Sequence, residues 1–274
     1  MGGETDSRVL QRLDEWQRHD LPGPIELYIR LMRSQIEGRS RAPTPGPHLS
    51  GETILERLRR GEPLLTFDEL ELDWSQVESL FTKALSIVAE YVALDASCGV
   101  DRLLQMARDW YEGRSPLAQS EEEPLVVALY TALKPSLVSR AEGLLPHVEQ
   151  TVWRRGYCPI CGGTPDFAVL VGEEGARWLL CPRCDCQWRF QRLECPFCGN
   201  KDQATLAYFP DGSGLYRLYV CDQCKGYIKA IDTRRSESEV LLPLEWISTL
   251  DMDRQACDMG YVAGELTGAR EDTA

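Results

Sequence analysis

Eight of the chain's eleven cysteines fall into four Cys-x-x-Cys pairs between Cys158 and Cys224. The pairs form two repeats. The first reads Cys158-Pro-Ile-Cys161-Gly162, then 18 residues, then Cys181-Pro-Arg-Cys184; the second reads Cys195-Pro-Phe-Cys198-Gly199, then 21 residues, then Cys221-Asp-Gln-Cys224. A Cys-x-x-Cys turn sets two sulfurs on one side, with backbone N–H groups facing them. The glycine after it lets the chain leave in a conformation that a β-carbon opposes. Two such turns complete a tetrahedral shell of four thiolates, at metal–sulfur distances of about 2.3 Å for zinc. The spacing therefore predicts one metal ion on Cys158, Cys161, Cys181 and Cys184 and a second on Cys195, Cys198, Cys221 and Cys224, paired sequentially rather than cross-braced.

Soft tetrahedral sulfur accepts zinc or iron alike. Zinc would be structural, and iron would make a rubredoxin-like one-electron centre. A closed shell leaves no position for water, so neither site is expected to hydrolyse anything. No other catalytic constellation is predicted: there is no P-loop, no dinucleotide fingerprint and no His-Glu-x-x-His, and His19, His48 and His147 are scattered. Cys98 and Cys257 read as ordinary thiols in helices. Cys186 extends the second pair to Cys-x-x-Cys-x-Cys and competes as a ligand. Against that, the second repeat has Gly226 at the equivalent place.

Charge narrows the partners. The chain carries 30 Lys plus Arg against 43 Asp plus Glu, a net charge of -13. Nucleic acids and anionic membranes are bound by positive surfaces that displace counterions. Residues 151–235 carry 12 basic and 9 acidic side chains. With two divalent ions on eight thiolates this region approaches neutrality. Arg183, Arg189 and Arg192 form a local basic edge there, for which a solvated face is the plainer reading. The expectation is no nucleic-acid binding and no membrane insertion, since no apolar run reaches about 18 residues. The start, Met-Gly-Gly-Glu-Thr-Asp, lacks the basic charge and apolar run of a secretory signal. Asp6 also departs from the myristoylation pattern. A cytoplasmic chain is expected, and reduced thiols there favour metal over disulfides.

The elements that position the cysteines follow from periodicity. Trp74, Val77, Leu80, Phe81, Ala84, Ile87, Val88, Tyr91 and Val92 recur at helical spacing behind Asp73, an N-cap. Further helices are predicted over about 6–19, 25–37, 100–111 and 125–155, the last broken or kinked at Pro135. Arg41–Ser50 reads as a loop. From Cys158 short β-rich runs take over. Hairpins are predicted at 167–171 with 177–180 and at 205–209 with 216–220, followed by strands near 187–190 and 227–231. A final helix is expected from about Pro243 to Met259, stopped at Gly260. The fold class is α+β: a helical domain over 1–155, ribbons over 156–192 and 193–235, and a C-terminal helix and tail over 236–274.

The string Trp153-Arg-Arg-Gly-Tyr-Cys-Pro-Ile-Cys-Gly-Gly-Thr-Pro165 resembles the signature of the FdhE family, the formate dehydrogenase accessory proteins. Cys181-Pro-Arg-Cys184 with Trp188, Cys195-Pro-Phe-Cys198, Val220-Cys-Asp-Gln-Cys-Lys-Gly-Tyr-Ile-Lys229 and the segment from Leu241 to Tyr261 fit the same pattern in order. Cys186 departs from it. Over residues 1–150 the resemblance rests on length and helical character alone. It implies a helical domain followed by two rubredoxin-like modules, associated with iron. It also implies a cytoplasmic protein, without turnover of its own, that binds the catalytic subunit of a molybdenum- or tungsten-dependent formate dehydrogenase during maturation. A one-electron redox carrier using iron is the alternative.

Overall fold

A computed structural model describes residues 2–39, 49–92, 100–113 and 123–264. Cys98 and His48 lie outside them. The chain divides into two compact units, one made of Met1–His48 and Leu65–Gly143, the other of Leu49–Leu64 and Leu144–Ala274. The architecture is α+β.

The first unit is helical. It holds α1 (Gly2–Trp16), α2 (Gly23–Arg39), α4 (Trp74–Val88), α5 (Val100–Tyr111) and α6, which begins at Glu123 and ends at Leu144. Asp73 caps α4 as expected, its carboxylate accepting from the backbone N–H groups of Ser75 and Gln76. The stripe behind it is core as far as Val88: Val77, Leu80, Phe81, Ala84, Ile87 and Val88 are all buried, whereas the helix ends short of Tyr91 and Val92, and Val92 is exposed. Two expectations fail in α6. The helix ends at Leu144 rather than near Arg155, giving way to a short 3-10 turn over Leu145–His147 that contains Pro146. It also runs on through Pro135. The proline ring sits against Gly38 of α2, where a β-carbon would meet Pro135 Cγ at 3.0 Å and Leu80 Cδ1 at 2.8 Å. Close packing through a glycine holds the proline inside the helix despite its missing N–H.

The second unit opens with α3 (Gly51–Arg60), an element the sequence reading passed over. Ser50 caps its start by accepting from Thr53 N, and Gly61 ends it at φ 75°. Ile54 and Leu58, one turn apart, are its buried face. The backbone then docks beside the first cysteine turn, where Leu64 N donates to Pro159 O at 2.9 Å.

The predicted strands are present as β1 (Phe167–Val171), β2 (Ala176–Leu180), β3 (Gln187–Arg189), β4 (Leu206–Pro210), β5 (Tyr216–Cys221) and β6 (Gly226–Asp232). Each repeat is a three-stranded antiparallel meander. The meanders are fused: β1 pairs in parallel with β6, with Phe167 opposite Lys229 and Leu170 opposite Asp232. One sheet of order β3-β2-β1-β6-β5-β4 results, with β7 (Val262–Ala263) pairing on β6. Strand β6 is buried along its whole length, as a central strand should be.

The closing helix is two helices, α7 (Leu242–Ser248) and α8 (Leu250–Asp258). Thr249 interrupts them. Its hydroxyl donates to the carbonyls of Glu245 at 2.8 Å and Trp246 at 3.2 Å, so the side chain competes with the backbone for the last turn of α7. Met252 and Ala256 of α8 pack on Leu218, Val220 and Tyr227 of the sheet. Gly260 follows at φ 83°, as the expected stop.

Candidate metal centres

Four backbone turns carry the eight cysteines, and all four are built alike. Gly162, Asp185, Gly199 and Lys225, each directly after the second cysteine of a pair, have φ between 55° and 70°. The N–H of each returns to the carbonyl of the first cysteine at 2.8–3.0 Å. Glycine meets this left-handed requirement without strain in the first turn of each repeat. Asp185 and Lys225 meet it at some cost in the second. In three of the turns the first cysteine's N–H also bonds the carbonyl two residues past the second cysteine, at Gly163, Cys186 and Asn200.

These turns bring the sulfurs together as the spacing predicted. Cys158, Cys161, Cys181 and Cys184 form one cluster, and Cys195, Cys198, Cys221 and Cys224 form another, each with all sulfurs within 4.8 Å of one another. Between turns, Cys158–Cys184 and Cys161–Cys181 lie at 3.6 and 3.5 Å, and Cys195–Cys224 and Cys198–Cys221 both at 3.7 Å. A disulfide would need about 2.0 Å. A tetrahedral ion at about 2.3 Å from each sulfur spreads them to about 3.8 Å along an edge. The donor set and its spacing therefore fit a divalent ion.

Charge gives the same answer. Burial opposes ionisation at Cys184, and the neighbouring Cys158 sulfur raises its thiol further. Burial also opposes ionisation at Cys158, but hydrogen bonds from Cys161, Cys184 and Cys186 bring that thiol below its ordinary range. On its own the cluster thus favours the thiolate at Cys158 and the thiol at Cys184. A bound cation inverts that preference and ionises all four.

The two clusters differ in exposure. The first is buried at all four sulfur positions, whereas Cys198 and Cys224 of the second are only partly buried. Asn200 supports the second by donating its amide to Cys221 Sγ at 3.5 Å and to the Thr205 hydroxyl at 2.7 Å. Cys186 is buried beside the first cluster but outside the group of four, with its sulfur 3.8 Å from the Gln187 carbonyl. Its own carbonyl serves the second turn. Cys257 is exposed on α8.

The aromatic residues near the turns are core. Trp153 and Trp188 are fully buried and spend their indole N–H groups on the carbonyls of Tyr157 and Arg155, both at 2.9 Å. Phe197 is 2% exposed, its ring filling the space over Gly264. Tyr227 is buried with its hydroxyl on Asp253. Trp188, Phe197 and Tyr227 are therefore core residues, and Tyr216 is partly buried against the same sheet. The aromatic side chains that do face solvent, Tyr208 and Phe209, sit on the edge strand β4. Their hydrophobic run gave no sign of which face was open.

Comparison with known proteins follows the same lines. Residues 157–192, the first ribbon, match the family model described as FdhE, central domain. A protein FdhE homolog of Aquifex aeolicus is 29% identical over 226 residues, covering 79% of this chain and 77% of that protein. Another, of Shewanella oneidensis, is 34% identical over 117 residues, and that match spans 42% of this chain and 38% of the protein. The crystal structure of the FdhE protein from Pseudomonas aeruginosa has the same fold, with a TM-score of 0.65 at 23% identity over 97% of this chain and 94% of that one.

Proposed function

We propose, from its similarity to FdhE proteins, that this chain is a cytoplasmic accessory protein that binds the catalytic subunit of a formate dehydrogenase during its maturation, without turning over a substrate. The observation that carries the reading is the FdhE central-domain match over 157–192, which contains the first four-sulfur cluster and is followed by the second. In this reading Cys158, Cys161, Cys181 and Cys184 hold one ion and Cys195, Cys198, Cys221 and Cys224 the other, iron or zinc. The ions supply folding free energy and rigidity that a small ribbon lacks. The chain's own residues then present a stiff fused sheet to the client. The division at 155/156, 192/193 and 235/236 belongs to the same proposal, and limited proteolysis of the metal-loaded chain tests it. So does the absence of nucleic-acid binding, argued from the net charge of -13. Among the described residues no helix is long and apolar enough to cross a membrane.

The test is co-purification of the metal-loaded chain from its own cells, with formate dehydrogenase activity compared in a deletion strain. Recovery of the catalytic subunit and loss of activity in the deletion are expected. Unchanged activity with no catalytic subunit recovered would end the accessory reading. The second reading, an iron-dependent one-electron carrier, draws on the partial exposure of Cys198 and Cys224, which opens the second cluster to a redox partner. It requires a visible chromophore that bleaches and returns through a reduction cycle.

A further inference from the structure

A cavity of about 440 Å³ opens on the ribbon unit, away from the cysteine clusters in its lining. Four arginines line it, Arg154, Arg177, Arg189 and Arg192, against one acid, Glu174. A lining charge of +3 is conspicuous in a chain of net charge -13. Among the described residues no carboxylate lies within ion-pair distance of any of the four. Their recorded hydrogen bonds go to main-chain carbonyls: Arg154 to Thr151, Arg192 to Glu174, and Arg177 to Gln191 and Glu194.

Arg177 is the unusual member. It is 3% exposed, on β2, with its guanidinium beside the Phe190 ring at 5.2 Å. Its Nε is buried with no hydrogen-bond partner. Burial weakens its hold on its proton. The Tyr219 ring lies 5.9 Å from its guanidinium, and the nearby Glu194 carboxylate already pairs with Lys201. A buried cation with an unused donor is unfavourable unless something compensates it. Arg154, Arg189 and Arg192 are exposed at the rim, so the charge grades from open to enclosed.

We propose that this cavity binds a phosphate-bearing small molecule carrying at least two negative charges, gripped by Arg154, Arg177, Arg189 and Arg192. Planar guanidinium forks match phosphate oxygens two at a time. The excess of three positive charges is better met by one compact polyanion than by a single side-chain carboxylate. The volume admits a small molecule whole, and only a compact group reaches a guanidinium as enclosed as Arg177. The inference stands apart from the proposed accessory role, because it rests on the second unit's own side chains.

The test is titration calorimetry of the full, metal-loaded chain with pyrophosphate at low salt, with inorganic phosphate and a glutamate-rich peptide as separate arms. One pyrophosphate per chain is expected, held more tightly than inorganic phosphate and weakening as salt rises. The double variant R154Q/R189Q removes exposed groups only, so metal content and melting should be unchanged while pyrophosphate affinity falls by at least about tenfold, roughly 1.4 kcal/mol. R177K should lose affinity likewise; if it fails to fold, the double variant decides. Absence of pyrophosphate binding, equal affinity in the double variant, or tighter binding of the acidic peptide than of pyrophosphate would each overturn the assignment.

Discussion

Asp232→Asn should destabilise the second unit by about 3 kcal/mol, the low end of the roughly 3–5 kcal/mol lost when one partner of a buried ion pair is removed. Asp232 ends β6 opposite Leu170, where the two meanders are joined in parallel. Its side chain has no solvent exposure and accepts from Arg217 Nη2 at 2.6 Å and from Arg234 Nε and Nη2 at 2.6 and 2.7 Å. Arg217 is itself 9% exposed and would be left with its charge unmatched. Arg234 is partly open to water and can rehydrate, which is why the low end applies. At about 2–4 °C per kcal/mol for a unit of this size, the melt should fall by roughly 10 °C. The assay is heating of the metal-loaded chain, with metal release and near-ultraviolet circular dichroism followed together. The hydrogen bond from Arg234, with the field of both arginines, holds the Asp232 carboxyl below its ordinary range against the effect of burial. A depressed carboxyl stabilises above its unfolded pKa, and that contribution is lost as pH falls through the folded one. The gap between wild type and D232N should therefore be full at neutral pH and close below about pH 4. The double change R217M/D232L should recover most of the loss, because an apolar pair leaves no charge buried. A fall under about 1 kcal/mol for D232N, or a gap independent of pH, would refute the claim that this pair holds the joint together.

Four further outcomes are expected. Gly156→Ala should cost about 1–3 kcal/mol, because a β-carbon there overlaps the Pro196 carbonyl of the second repeat; an unchanged melt would mean the two ribbons are not held at that approach. Cys161→Ser and Cys198→Ser should each cost one ion and make residues 158–224 the first proteolysed, whereas cleavage without preference for that segment would deny metal its structural role. A chelator should remove the ion of the Cys195 cluster before that of the Cys158 cluster, given the partial exposure of Cys198 and Cys224, as read by metal content of single-site variants over time; the opposite order would contradict exposure as the control. Cys186→Ala should keep both ions, since that sulfur lies outside the group of four, and loss of one would show that it ligates.

The cysteine clusters were legible because their geometry is local: two residues between sulfurs, a positive φ after them, and a hairpin to return the chain. The hairpins were legible for the same reason. The fusion of the two meanders was not. Pairing Phe167 with Lys229 joins distant segments with no turn between them, and the central strand β6 hides its burial behind Lys229 and Asp232. Lys229 is 1% exposed and is reconciled to the interior by Asp253 at 2.7 Å, a partner no spacing rule supplies. The α3 caps, Ser50 and Gly61, were present in the sequence, but Ser50 closed the proline-rich run and so read as part of the loop. Thr249 carried no breaker signal, since threonine is tolerated in helices and only its back-bonded hydroxyl marks the interruption. The arginine cavity gathers residues from 154 to 192 across three segments, so the sequence showed a basic edge at Arg189 and Arg192 but not its buried member.

The central claim is that eight cysteines make two closed four-thiolate metal centres, and native mass spectrometry of chain purified anaerobically without chelator tests it most directly. The account predicts two divalent or trivalent ions per chain, one lost with Cys161→Ser, one with Cys198→Ser and both with the pair. A single ion, no ion, or a mass short by the hydrogens of disulfides within the clusters would contradict it.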